Sequence, residues 1–445
     1  MKYTLKPLAR ALVSALLLTA CATSLPVYAD DVADLKAQMQ NMTAQMQKMG
    51  ERLIQLEAER KAASAAVAPE NSPASVTISH PPSMRLINGA DTTVSLYGIL
   101  DVTVASQSNA DAAGRRGTSQ VVSWMSGNRF GLDASHVFDK KTGTKIIGRL
   151  ENEFELPTGS LDTNNVLFNR DAWVGIQSNS LGKLTLGRQN TLPRDFAQTW
   201  GEAFGSRAVS LDEGGWNNNN QMQYLINYAG GATGTRYDSG VVWKKETGAF
   251  VTGLAYAFSG GGGYAPGAFA VGTSKAGAIA YNGGMWNASA TASRANIGGY
   301  NHTVFGIGGN VQINPLILLR AGYFNSSADQ AVVGKRKDNV YAASVTITPT
   351  PVLQFDLGYH NINAKNAGYA ANGNTLGVNG DTSSVTTAAN GSFRTLYAAA
   401  FYRWDPQTDV YVAADTVSTQ NGFKLAFTHG HKSATELGAG LRFKF

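Results

Sequence analysis

From Thr92 to Phe445 the chain alternates apolar and polar residues with a period of two, segment after segment, and helical periodicity is absent. The first run, TVSLYGILDVTVA (residues 93–105), sets Val94, Leu96, Leu100, Val102 and Val104 against Ser95, Tyr97, Asp101 and Thr103. The last run, LGAGLRFKF (residues 437–445), is apolar at every odd position and Gly, Arg or Lys at every even one. About ten further runs lie between, parted by Gly-, Asn- and Asp-rich stretches.

Such strands need an apolar medium on one face only. Charged residues make up 15% of the chain against about 25% in soluble domains, yet mean hydropathy is −0.16 and no run of 18 apolar residues follows residue 29. A closed β-barrel in a bilayer satisfies all three observations, because alternate residues face lipid and lumen. On this parity Arg442 and Lys444 face the lumen, since either would cost about 2–4 kcal/mol against lipid near the midplane. Residues 93–445 allow about 22 residues per strand for 16 strands, where a transmembrane strand takes about 9–11. Counting alone admits 14 or 18 as well.

Three segments precede the barrel. Lys2, Lys6 and Arg10, the apolar stretch 11–20 and the Val27–Ala29 site make residues 1–29 a secretory signal peptide. Cys21, the sole cysteine, is lost with it or, if residues 18–21 act as a lipoprotein box, becomes lipidated; in the first case no thiol remains. Removing the three signal cations lowers the net charge from +6 to +3, too mild for a nucleic-acid partner.

In residues 30–66 the apolar positions step by 3 and 4 without a break. Val32, Met39, Met46 and Leu53 take the a positions of a heptad, and Leu35, Met42, Met49 and Leu56 take d. This stripe is too narrow to cover a core, so a coiled coil is expected, an amphipathic helix on a membrane being the other reading. At 1.5 Å per residue it reaches roughly 55 Å. Residues 67–91, rich in Ala, Ser and Pro, read as a linker.

The order of barrel motifs resembles that of the trimeric general porins of the neisserial and betaproteobacterial type. Val94–Asp101 (VSLYGILD) is similar to the family's opening V-T-L-Y-G-x-x-D. Ser126–Leu132 (SGNRFGL), Ile147–Phe154 (IGRLENEF), Leu167–Gly175 (LFNRDAWVG), Leu181–Gln189 (LGKLTLGRQ) and Thr235–Ser239 (TRYDS) resemble its next strands. Tyr402–Tyr411 (YRWDPQTDVY) and Gly440–Phe445 (GLRFKF) resemble its close. Residues 260–391 match only in texture, and the coiled coil departs from the common members.

The resemblance implies a 16-stranded antiparallel transmembrane β-barrel, a homotrimer in outer-membrane lipid, and assembly by the barrel-assembly machinery through a signal ending in Phe445. It implies a third loop, about residues 190–221, folded inward with Asp195, Glu202, Asp212 and Glu213. These acids would face a basic ladder of Arg129, Arg170 and Arg236, with Arg149 beside it. Parity supports Arg129, which alternates with Phe130, Leu132 and Trp124 as lipid-facing residues, and puts Arg149, Glu151 and Glu153 inward. For Arg170 parity is ambiguous.

The expected function is a water-filled, weakly anion-preferring pore for small hydrophilic solutes, with no catalytic group and no cofactor. A substrate-specific channel for carboxylates or phosphate, or an envelope tether contacting the cell wall through its coiled coil, are the alternatives. His429 and His431 have chelating spacing but sit in a loop-like stretch, so no metal is expected.

Overall fold

The computed structural model describes residues 83–122, 124–200, 234–259, 271–378 and 380–445. The signal peptide, the coiled-coil positions Val32 to Leu56, and Glu202, Asp212 and Glu213 lie outside the described residues.

Eighteen strands and one α-helix are described. They are β1 (Ser83–Asn88), β2 (Thr92–Gln107), β3 (Gly117–Val122), β4 (Arg129–Asp139), β5 (Thr144–Glu153), β6 (Asp171–Ser178) and β7 (Gly182–Asn190). Then follow α1 (Leu192–Trp200), β8 (Arg236–Thr247), β9 (Phe250–Ala257), β10 (Ser274–Asn282), β11 (Trp286–Ile297) and β12 (Tyr300–Asn314). The rest are β13 (Ile317–Ala328), β14 (Arg336–Thr350), β15 (Leu353–Gly368), β16 (Ala388–Arg403), β17 (Thr408–Asn421) and β18 (Ser433–Lys444).

Strand β2 and strands β4 to β18 pair antiparallel with their neighbours, and β18 returns to β2 (Leu441↔Val102), closing a 16-stranded ring. The other two strands lengthen edges of β2. Strand β3 pairs with its upper half, where β4 takes the lower, so β3 and β4 act as one barrel strand broken at residues 123–128. Strand β1 pairs with Thr93–Tyr97, just below the end of β18 (Lys444↔Ile99). It lies within the stretch expected to be linker, because β18 stops short and leaves that edge of β2 to be paired.

Connections at one end are turns of two to four residues, and both ends of the barrel chain lie there. Those at the other end are longer, residues 154–170 and 369–387 among them, with one exception. Gly298 and Gly299, at φ 59° and 91°, join β11 to β12 in the left-handed two-residue turn that follows the sheet's own twist.

Face parity follows the sequence alternation. On β18, Leu437, Leu441 and Phe443 are 42%, 42% and 37% exposed to the outside, while Arg442 and Lys444 are 1% and 6% exposed inside. Phe445 exchanges backbone hydrogen bonds with Gly98 (2.8 and 3.0 Å) and lays its ring where a Gly98 Cβ would stand. Inside, Tyr97, Tyr397 and Tyr411 each lie across the directly opposite glycine of a neighbouring strand, Gly131, Gly358 and Gly440. A glycine is required there because the ring occupies the side-chain space.

Gly440→Val should therefore displace the Tyr411 ring and cost about 1–3 kcal/mol of overpacking. Semi-native electrophoresis against temperature should show folded barrel converting at a lower temperature than wild type, with Gly440→Ala in between.

Candidate pore constriction

Alternation carries charge onto the inner wall of β4 to β8 at mid-height. Arg129 and Glu153 are directly opposite across β4 and β5, as are Asp133 and Arg149. Arg149 donates from Nε and Nη2 to the two Asp133 carboxylate oxygens at 2.6 and 2.8 Å, and its Nη1 lies 3.9 Å from Asp171. Its guanidinium also stands 5.4 Å over the Tyr97 ring, whose hydroxyl donates to Glu151 (2.8 Å). Arg170 enters from the loop before β6 and pairs with both Glu151 (2.5 Å) and Glu153. Arg236 opens β8 opposite Asn190 and donates to Thr235 Oγ1 (3.0 Å).

The four arginines thus lie on one wall, with Arg129, Arg170 and Arg236 all buried. Four carboxylates, Asp133, Glu151, Glu153 and Asp171, stand among them on the same wall. At such distances opposite charges cancel locally, and little field is left to act across the lumen.

Helix α1 begins the third loop. It lies against the inner face of the wall after β8, with Leu192, Phe196 and Trp200 packed on Val242, Val251, Ala255 and Ala280. Gly253 leaves the space that Leu192 and Phe196 fill. Asp195 accepts from Asn190 Nδ2 (3.0 Å) and pairs with Lys244 on β8, so this acid is engaged by the near wall. The inward positions of β9 and β10, Gly253, Ala255, Ala257, Ala276, Ala278 and Ala280, are small, and that run was the overlooked signal for a docked helix.

A second inward element was also overlooked. Trp124 was expected to face lipid, but it is fully buried inside the barrel, packed with Met125 against Tyr397, Phe401 and Tyr411. The break between β3 and β4 resets parity, so counting back from Arg129 fails there. Asp101 holds the segment: its Oδ2 accepts from the backbone N–H groups of Met125 (3.0 Å) and Ser126 (2.7 Å), and its Oδ1 from the Tyr411 hydroxyl (2.5 Å). Arg442 donates to Ser126 Oγ (2.9 Å) and Asp409 (2.8 Å), and Lys444 pairs with the same Asp409 (3.1 Å). The closing strand thereby ties the inward segment to the wall.

At the long-loop end, Phe324, Val340, Ile362, Phe393 and Val417 make the lumenal wall of β13 to β17 apolar, and Val378, Phe423 and Leu425 from loops 369–387 and 422–432 cover it. His302 Nδ1 lies 2.8 Å from the Val378 carbonyl oxygen, and Thr382 donates to Asp329 O (2.7 Å). His431 Nε2 contacts the Asp111 carbonyl oxygen (3.1 Å) in a neighbouring loop.

A model of the Gram-negative porin family matches residues 62–422. The chain belongs to that family. With it goes residence in the outer membrane.

An outer membrane porin of Bordetella pertussis is 27% identical over 188 residues, which are 38% of this chain and 44% of that relative's length. The chain thus aligns with less than half of the curated relative it matches. Among solved structures, an anion-selective porin from Comamonas acidovorans superposes with a TM-score of 0.62 at 19% identity, over 80% of this porin and all of the other. OmpF of Salmonella typhi superposes at 0.52 with 11% identity, over 81% of this porin and all of the other. At these identities the likeness is one of fold.

Replacing Trp124 and Met125 by Ala empties space between the inward segment and β16 to β18. Single-channel recording should show higher conductance than wild type, with a stability loss of up to about 3–5 kcal/mol from the Trp site.

Proposed function

We propose that this porin is a passive, weakly anion-preferring diffusion channel for small hydrophilic solutes, working as a homotrimer. The carrying observation is the inner wall itself, where Arg129, Arg149, Arg170 and Arg236 meet an equal number of carboxylates. A matched wall makes selectivity small. A local excess of cations lies beside it, where Lys183, Lys244 and Arg194 stand near Asp195. The anion-selective porin of Comamonas acidovorans, alike in fold, is consistent with the sign. The third-loop acids Glu202, Asp212 and Glu213 would then set how much of that excess survives at the narrowest point.

A trimer also suits the heptad segment: three parallel helices on the threefold axis would share the barrel's symmetry and extend into the periplasm toward the cell wall. Phe445, seated on Gly98, belongs to the closing strand that the assembly machinery would read.

Purified protein in planar bilayers should insert in steps of three equal conductances, with a reversal potential of anion-selective sign under a KCl gradient. Arg129→Ala should shift that potential toward zero and leave the conductance steps in triplets. A cation-selective wild type would overturn the reading, and so would insertion in single steps. Deleting residues 30–66 should lower the temperature at which trimers dissociate on semi-native gels and reduce retention with isolated cell wall; no change in either would remove the tethering role.

A further inference from the structure

Loop 369–387 is fastened to the long-loop end of the barrel by contacts of different kinds. Arg336 on β14 donates to the Leu376 carbonyl oxygen (2.6 Å), and Asp381 lies over Gly298 in the turn between β11 and β12. A further contact is made by His302, near the start of β12 and only 5% exposed. Its Nδ1 lies 2.8 Å from the Val378 carbonyl oxygen and its Nε2 3.5 Å from Thr382 Oγ1. Thr382 commits its hydroxyl proton to the Asp329 carbonyl oxygen (2.7 Å), so toward the ring it can only accept.

Both ring nitrogens therefore face acceptors. A neutral imidazole has one N–H and one lone pair. With the proton on Nδ1, the bond to Val378 is made and a lone pair confronts the Thr382 oxygen. With the proton on Nε2, the bond to Val378 is lost. Imidazolium, which donates from both nitrogens, satisfies both acceptors at once.

The groups around the ring leave room for that charge. The neighbouring strands β11 and β13 present Ala295 and Ala328 directly opposite His302. Arg336 approaches from β14, but Asp338 engages it in a buried pair (2.8 Å). Asp329 and Asp381 approach from the loops of residues 329–335 and 369–387, and Asp329 is shared with Lys335 (3.3 Å). A positive ring thus meets no cation that lacks a carboxylate of its own.

We propose that His302 is a proton-operated latch for loop 369–387. Protonated, it holds Val378 and Thr382 together and keeps the loop down on the lumenal wall. Neutral, it releases one of the two, and the loop lifts. Val378 belongs to the apolar cover over β13 to β17, so a lifted loop widens the channel mouth. A local charge change thereby sets a loop between two arrangements. The latch is independent of anion preference, and only the conductance readout of its test rests on the channel reading.

The test places a nitroxide spin label on Asn372→Cys, an exposed position of the loop, in a Cys21→Ser background of the full protein. As pH rises from about 5 to about 8, the range in which histidine titrates, label mobility should rise and single-channel conductance should grow roughly 1.2-fold or more. His302→Gln stays neutral throughout and should abolish both changes. Thr382→Val removes the second acceptor and should abolish them with His302 still in place, an effect that a merely structural role for the ring would not produce. His431→Ala, in the loop of residues 422–432, should respond as wild type. Migration as folded barrel on semi-native gels reports that each variant has folded. Wild-type label mobility indifferent to pH would overturn the proposal, as would a pH response that survives in His302→Gln. Loss of the response in His431→Ala alone would assign it to the neighbouring loop and overturn it too. A change in mobility with conductance constant would show that the loop does not set the mouth, and the latch would fail as a gate.

Discussion

A strand inside hydrocarbon cannot leave an N–H or C=O unpaired, because nothing in that medium replaces the lost partner. This demand shapes the whole molecule. It forces the sheet to close, β18 onto β2, and explains why β1 and β3 exist at all: each takes a stretch of the β2 edge that its neighbour leaves open. Closure then imposes two environments on alternate residues. Every later feature, the apolar exterior and the charged wall alike, is an expression of that parity.

The lumen is not simply the polar face of the sheet. Around the ring its inner surface divides into sectors of different character, each matched to what covers it. Small residues on β9 and β10 receive helix α1, aromatic rings on β16 and β17 receive the inward Trp124 segment, and an apolar upper wall on β13 to β17 receives two loops. Among the described residues no loop or helix covers the sector from β4 to β7, where charges gather. Burying ionised groups in pairs offsets their desolvation, so the arginines and glutamates there stabilise one another while they line the path.

Much of this was legible in the chain. The alternation in residues 437–445 puts Arg442 and Lys444 inside without any structure, because the alternative costs too much in lipid. The same argument places Arg129, Arg149, Glu151 and Glu153 on one face. Legibility ended where parity was interrupted. Residues 123–128 reset the count, so Trp124 was read on the wrong face, and Arg170 lies outside any strand, where alternation has nothing to say. That Arg149 would bind Asp133, and Asp195 would bind Lys244, depends on registers between strands and on where α1 docks. Those are long-range facts, and local pattern does not contain them.

The loop of residues 369–387 reaches from β15 and β16 as far as the Gly298–Gly299 turn, where Asp381 takes the space of a side chain, and it carries Val378 inward against the wall. One side of this loop faces the surroundings of the cell, and the other helps shape the channel mouth. Substitutions that alter how the cell surface is recognised from outside, by an antibody or a phage, are therefore not independent of permeability at this loop. Escape from recognition there would be paid in altered uptake, whereas a loop without a lumenal side could drift freely.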